Sequence, residues 1–273
     1  MKLPDDFVYS QSSLQDYIDC RRRFHLRYVQ HLAWPAAVTE PEAERERFLR
    51  LGNSFHRMIQ QHILGIPEGI LGAQASGDLA RWWGNYLHYP IADLPDLRRA
   101  EVMVSAPLSG QRIEAKFDLL AIDPGERVVI VDWKTSRRHP APQFLADRLQ
   151  SKVYPFLLAQ TAPDVGFGDR ILPEQIEMIY WFADFPREPH RFDYTESQYQ
   201  ADEQTLIGLV EEIGRLEENE FERTTEAARC TYCPYRSLCR RGTSAGDYQA
   251  WNEDAEVDVA LDFDFDQIAE IEF

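Results

Sequence analysis

The chain has 273 residues, 44% of them hydrophobic, and a formal charge of −17. That supports a sizeable core in one large domain with decorations. No apolar run reaches membrane-spanning length and the first ten residues lack a signal peptide's apolar core, so a cytoplasmic protein with no membrane association is expected. The charge argues against a broad nucleic-acid-binding surface, but it is uneven. Ten of the acidic residues, and no Lys or Arg, fall in 243–273. A local basic groove elsewhere is compatible with that balance.

Residues 10–30 have the pattern of one amphipathic helix, with Leu14, Tyr17, Ile18, Phe24 and Tyr28 at helical spacing and Ser12 with Gln15 as a capping box. Arg21, Arg22, Arg23 and Arg27 make it basic, and Cys20 lies inside it. A linker with Pro35 and Pro41 precedes a second helix over about 42–64, with Phe48, Leu51, Phe55, Ile59 and Ile63 on its apolar face. His56 sits one position from that stripe, and Gly52 one turn earlier allows a close approach. A lone helical histidine is more often structural than a ligand. A third helix is expected over 76–88, ending before Pro90.

The pattern then changes to Val- and Ile-rich strands over 101–108, 111–122 and 127–134, with Asp123-Pro124-Gly125-Glu126 as a hairpin turn. A helix follows over 144–160, broken or kinked at Pro155. A buried strand over 175–183, a partner over 190–194 and a long helix over 196–221, capped near Thr195, complete the expected elements. This order predicts an α/β core in which helices flank a mixed sheet.

Asp118 falls on the first strand of the hairpin, Asp132 and Lys134 on the second. Strand alternation puts Asp132 and Lys134 on one face and Trp133 on the other. A four- to five-residue connection brings Asp118 opposite or diagonal to Asp132. Two such carboxylates suit Mg2+ or Mn2+, which lowers the pKa of a bound water and polarises a phosphodiester. Lys134 can orient that water or stabilise developing charge. A salt bridge closing a strand end is the plain alternative, since a lone D-x-K is common.

In its wider context the hairpin resembles the PD-(D/E)XK nuclease superfamily, in particular its RecB-like branch. The matching residues are Asp118, then Asp132-Trp133-Lys134-Thr135, with Gly52 and His56 as the upstream G-x3-H and Gln150 and Tyr154 as the downstream Q-x3-Y. Glu101 fits an acidic position at the start of the strands. The resemblance implies a restriction-endonuclease-like fold with an N-terminal helical lobe. It implies His56, Asp118 and Asp132 as metal ligands with the Trp133 carbonyl, a catalytic Lys134, and Gln150 and Tyr154 supporting the site.

Four cysteines remain. Cys230, Cys233 and Cys239 form C-x2-C-x5-C, and 209 residues separate Cys20 from the first of them. In a reducing compartment such clustering favours a metal over disulfides. Zinc is chemically reasonable, as is a three-ligand site with Cys20 merely buried. The spacing resembles AddB-type nucleases and CRISPR-associated adaptation exonucleases, where an N-terminal cysteine joins three C-terminal ones around a [4Fe–4S] cluster. Arg21 stands where those families often have proline. The resemblance implies a staple from the first helix to the C-terminal segment. It would bring Arg21–Arg27 beside Arg236, Arg240 and Arg241 as a phosphate-contacting patch. Phe24, Tyr28 and Tyr232 could stack on bases, although core packing is the commoner role.

The expected organisation is a helical lobe over 1–95, a nuclease core over 96–222, a cysteine-cluster segment over 223–242 and an acidic tail over 243–273. The expected function is metal-dependent DNA exonuclease, on single-stranded or frayed DNA, in repair or CRISPR adaptation beside a helicase or adaptation proteins. The rival reading is a non-cleaving DNA-binding or scaffold subunit.

Overall fold

The computed structural model describes residues 3–4, 7–32, 40–231 and 233–242, with 40–46 described by backbone alone. The expectations for Pro35, Tyr232 and the acidic tail lie outside the described residues. In chain order the elements are β1 Val8–Ser10, α1 Gln11–Asp19, α2 Arg21–Phe24, α3 Glu40–Ile63, α4 Glu68–Gly72 and α5 Gly77–His88. Then come β2 Leu97–Leu108, β3 Gln111–Asp123, β4 Arg127–Lys134, α6 Pro142–Asp147, α7 Leu149–Gln160, β5 Ile176–Phe182, β6 Phe185–Asp193 and α8 Glu196–Arg215.

The strands form one mixed sheet of six, ordered β1-β3-β4-β5-β6, with β2 on the other edge of β3. The predicted turn is present: the Glu126 N–H donates to the Asp123 carbonyl at 3.0 Å, and Gly125 supplies the positive φ of 78°. β4 and β5 run parallel through the middle of the sheet. Val128, Val129, Ile130 and Val131 are all fully buried, because helices cover both faces of that strand.

Two cores result, one on each face. Leu14 and Tyr17 of α1, Val153 and Leu157 of α7 and Leu206 and Val210 of α8 pack on Val128 and Ile130. Phe55 and Ile59 of α3 and Trp82 and Trp83 of α5 pack on Val129, Val131 and Trp133. The fold is thus the expected mixed sheet flanked by helices.

Some boundaries differ from the sequence expectations. The helix over 10–30 is not continuous. It stops at Cys20, which is extended (φ −164°, ψ 105°), restarts as α2 and ends in a π-helical turn, His25–Val29. The capping box is Ser10 with Ser13 rather than Ser12 with Gln15. The helix begins directly from β1, so its cap is the last strand residue.

The 144–160 helix breaks at Arg148, with ψ 144°, instead of at Pro155, which sits inside α7. Ser151 Oγ donates to the Leu145 carbonyl and ties the two pieces together. The last helix is capped by Thr195 as expected but ends at Arg215, short of Phe221.

Candidate active site

The geometry of the site follows from where β3 and β4 part. Their ladder runs from Asp123↔Arg127 to Leu119↔Val131 and stops there. Beyond it, β1 takes the vacated edge of β3, pairing in parallel from Val8↔Arg112 to Ser10↔Glu114. Asp118 and Asp132 stand at this fork. Asp118 Oδ2 accepts the Trp133 main-chain N–H at 2.9 Å, so a side chain replaces the ladder bond that the splay removes.

The side-chain alternation of β3 also shifts here. Ile113, Ala115, Phe117, Leu120 and Ile122 face one core, and Leu119 and Ala121 the other. Opposite, in β2, Ala100 pairs with Leu119 and Val102 with Phe117. Glu101 between them has φ +55°, a strained conformation for a residue with a side chain. Its carboxylate pairs with Lys116 at 2.7 Å.

α3 brings His56 over the fork, its Nδ1 3.3 Å from Asp118 Oδ1. Gly52 makes the approach possible: a Cβ there would lie 2.9 Å from Thr135 Oγ1, immediately after Lys134. The signal in G-x3-H therefore has two parts, a histidine for Asp118 and a glycine for the strand carrying Lys134.

Lys134 Nζ lies 2.7 Å from Asp132 Oδ2 and donates to Gln150 Oε1 at 2.9 Å. Gln150 Nε2 donates to Asp132 Oδ1 at 2.5 Å. One amide thus bridges both members of the D-x-K pair. Tyr154, one turn on, is buried with its ring edge-on to Phe117 at 5.1 Å. Trp133 points to the opposite core, against Trp181 and Tyr86, as alternation predicted. His56, Asp118, Asp132, Lys134, Gln150 and Tyr154 all line one cleft. Ser10, Gln11, Ser12, Phe48 and Met103 line it too. Sequence reading missed these, and only Ser10 carried a signal, as a helix cap after a short strand.

Asp132 is 3% exposed. Burial, then the Asp118 charge, push its pKa up to about 6 against the pull of Lys134. Asp118 is held down: burial raises it, but His56 and the Trp133 N–H outweigh that. His56 is raised, because the charge and hydrogen bond of Asp118 overcome desolvation. Among the described residues no three of His, Cys, Asp and Glu converge at metal-binding geometry. His56 and Asp118 are joined to each other, and Asp132 to Lys134 and Gln150. The donor set nevertheless fits a hard divalent cation: two carboxylates at one fork, one raised by the other's charge.

The cysteine corner forms separately. The Arg22 N–H donates to the Glu222 carbonyl at 3.0 Å, and the Thr224 N–H to Cys20 Sγ at 3.5 Å. Phe221 stacks on His25 at 4.9 Å, and the Tyr235 hydroxyl donates to the Leu32 carbonyl at 2.9 Å. The C-terminal segment thus packs on α1 and α2. Burial raises the Cys230 and Cys239 thiols, and Cys233 to about 11; nearby Cys20 adds to all three.

The expected phosphate patch is largely neutralised. Arg23 pairs with Asp16 at 2.7 Å and Asp19 at 2.8 Å, and Arg27 with Asp16 at 3.0 Å. Arg21 pairs with Glu212, and Arg236 is buried. Asp19 lies four residues before Arg23, and the break at Cys20 turns α2 and the π-helical turn so that Arg23 and Arg27 both reach back to Asp16. Phe24 is fully buried, and Tyr28 packs against it at 5.3 Å. Both belong to the core.

The forked sheet thus gathers two carboxylates, a lysine and a histidine in one cleft. The chain belongs to the PD-(D/E)XK nuclease superfamily, whose family model matches residues 8–240. Members of that superfamily are phosphodiester hydrolases and typically use Mg2+ or Mn2+. Among solved structures, the chain is similar to that of SSO0001, at 16% identity and TM-score 0.41, covering 83% of this chain and 84% of that one. It is also similar to an exonuclease candidate from Eubacterium rectale, at 10% identity and TM-score 0.47, covering 89% and 90%. No curated protein matches it.

Proposed function

We propose that this protein is a metal-dependent exodeoxyribonuclease acting on single-stranded or frayed ends. The observation that carries the reading is the buried Asp132–Lys134–Gln150 network beside the Asp118–His56 pair. His56, Asp118, Asp132 and the Trp133 carbonyl would hold Mg2+ or Mn2+, which supplies a water of lowered pKa and neutralises phosphate charge. Gln150 fixes the carboxylate and the ammonium relative to each other. Lys134 then presents a cation toward the cleft, where it orients the attacking water and meets charge developing on phosphorus. Tyr154 and Gln150 brace the network from α7. Residues 1–95 bring His56 and Cys20, and 96–222 hold the hairpin.

The test is cleavage of end-labelled single-stranded DNA with Mn2+ or Mg2+. Mononucleotides or short products, lost in Lys134→Ala, are expected. No product with either metal and either end label would instead favour a non-cleaving DNA-binding subunit.

For the cysteines the reading is the RecB-like branch with a [4Fe–4S] staple, and a recombination helicase or CRISPR adaptation proteins as partners. The packing of 221–241 on α1 and α2 beside Cys20 supports it, as does the family-like spacing. Anaerobically purified protein should be brown and absorb near about 400 nm, as thiolate-ligated iron does. Colourless protein carrying stoichiometric zinc would refute the cluster.

A further inference from the structure

A second cavity, of about 120 Å³, lies on the face of the sheet opposite the Asp132–Lys134 side chains. Its walls include Tyr86, Leu94, Leu119, Trp133 and Trp181, and Arg98 also lines it. Three of the five are aromatic. Tyr86 meets Trp133 edge-on at 5.6 Å, and Trp133 meets Trp181 at 5.5 Å.

The polar groups of these rings are not equal. The Tyr86 hydroxyl is 3.1 Å from His62 Nδ1, and Trp181 Nε1 donates to the Tyr89 carbonyl at 3.3 Å. Trp133 is 4% exposed, yet its Nε1 has no hydrogen-bond partner among the described residues. A buried indole N–H normally finds an acceptor. Three arginines stand at the segment that closes the cavity. Arg98 is exposed and its Nε donates to the Pro95 carbonyl at 3.3 Å, Arg187 donates to the Tyr89 hydroxyl at 2.7 Å, and Arg191, paired with Glu177 at 2.7 Å, donates to the Ala92 carbonyl at 2.9 Å.

Size, shape and charge select the occupant. An apolar cavity of about 150 Å³ holds one benzene ring, so this one takes a single ring and not a fused pair. The aromatic walls favour a planar π-system. The unpartnered N–H calls for a ring acceptor such as a carbonyl. The guanidinium at the cavity calls for an anion. We propose that this cavity is a binding site for a pyrimidine nucleoside monophosphate. The base lies among Tyr86, Trp133 and Trp181, a ring carbonyl accepts the Trp133 Nε1–H, and the phosphate meets Arg98. Binding here would stand whether or not the cleft cleaves DNA.

Uridine 5′-monophosphate titrated into the full-length protein should quench tryptophan emission saturably, with adenosine 5′-monophosphate about tenfold weaker. Leu94→Trp, which fills the cavity, and Arg98→Ala should each weaken binding about tenfold. Lys134→Ala, across the sheet, should leave it unchanged. Should Leu94→Trp fail to fold by circular dichroism, Ile91→Phe is a smaller filling with the same expectation. The proposal is overturned by the absence of saturable quenching, or by binding that survives cavity filling but is lost in Lys134→Ala. Equal affinity for the two nucleotides would overturn the single-ring assignment.

Discussion

The hairpin site and the cysteine corner both join residues far apart in sequence, but they are completed differently. At the hairpin, Asp132 is paired at 2.7 Å with Lys134 and Gln150 bridges the two, so buried charge is answered within the protein. At the corner, four half-buried thiols are held by contacts around them: main-chain hydrogen bonds, the Phe221 stack and the Arg229–Asp19 pair. Burial raises three of the thiols, whereas metal binding requires thiolates. The hairpin network is preorganised by the fold, whereas any metal at the corner would first have to displace protons from these thiols.

The strongest way to break that contrast is Lys134→Ala. Cleavage of labelled single-stranded DNA should fall about 10²–10³-fold, the usual cost of one electrostatic stabiliser. Circular dichroism should remain native, because Asp132, already raised to about 6, can take up a proton. Full activity in this variant would leave the hairpin a structural salt bridge. Next is Cys233→Ser, at the most strongly raised thiol. Chemical denaturation should show a loss of ~3 kcal/mol or more if a metal cluster closes the corner. Colour and cleavage should be lost with it. Unchanged stability would make the corner an ordinary packed segment.

Gly52→Ala sharpens the role of α3. The added Cβ would meet Thr135 Oγ1 at 2.9 Å, an overpacking worth about 2 kcal/mol. The double variant Gly52→Ala, Thr135→Ala should recover most of that, as read from thermal unfolding. The pH dependence is smaller. Mn2+ affinity, followed calorimetrically, should drop about tenfold per pH unit below about 6 as Asp132 protonates.

The sign for stability is the reverse in the metal-free protein. The folded state keeps a proton that the unfolded chain has released between about pH 4 and 6. The Asp132 contribution is therefore full below that window and lost as pH rises through it. The smallest expected effect is Arg21→Ala, whose pair with Glu212 is 44% and 43% exposed. Urea midpoints should correspond to a change of at most ~0.5 kcal/mol, and a larger one would mean that surface charge holds the corner.

Local signals sufficed for much of the fold. The β-branched run of β4, the Pro-Gly turn and the apolar stripe of α3 act over a few residues, so strand and helix positions could be read directly. The opposite faces of Trp133 and Asp132–Lys134 followed from alternation alone. Where a non-local partner decided the outcome, the reading failed. Helix α1 stops at Cys20 where the C-terminal segment packs beside it. The 144–160 helix turns at Arg148, where α7 must aim Gln150 at Lys134. Of the arginines expected to bind phosphate, Arg23 and Arg27 are matched by Asp16 and Asp19 nearby in the chain, and Arg21 by Glu212, some 190 residues away on α8.

By itself, then, the sequence determined the hairpin and its chemistry-bearing residues, because alternation and turn geometry are properties of the local backbone. Only the tertiary structure decided that the ladder ends at Leu119↔Val131, that β1 enters the fork, and that His56 meets Asp118 across it. Those facts depend on strands and helices competing for the same edge of β3. That competition is settled by packing two cores against one sheet, and no stretch of the chain encodes it alone.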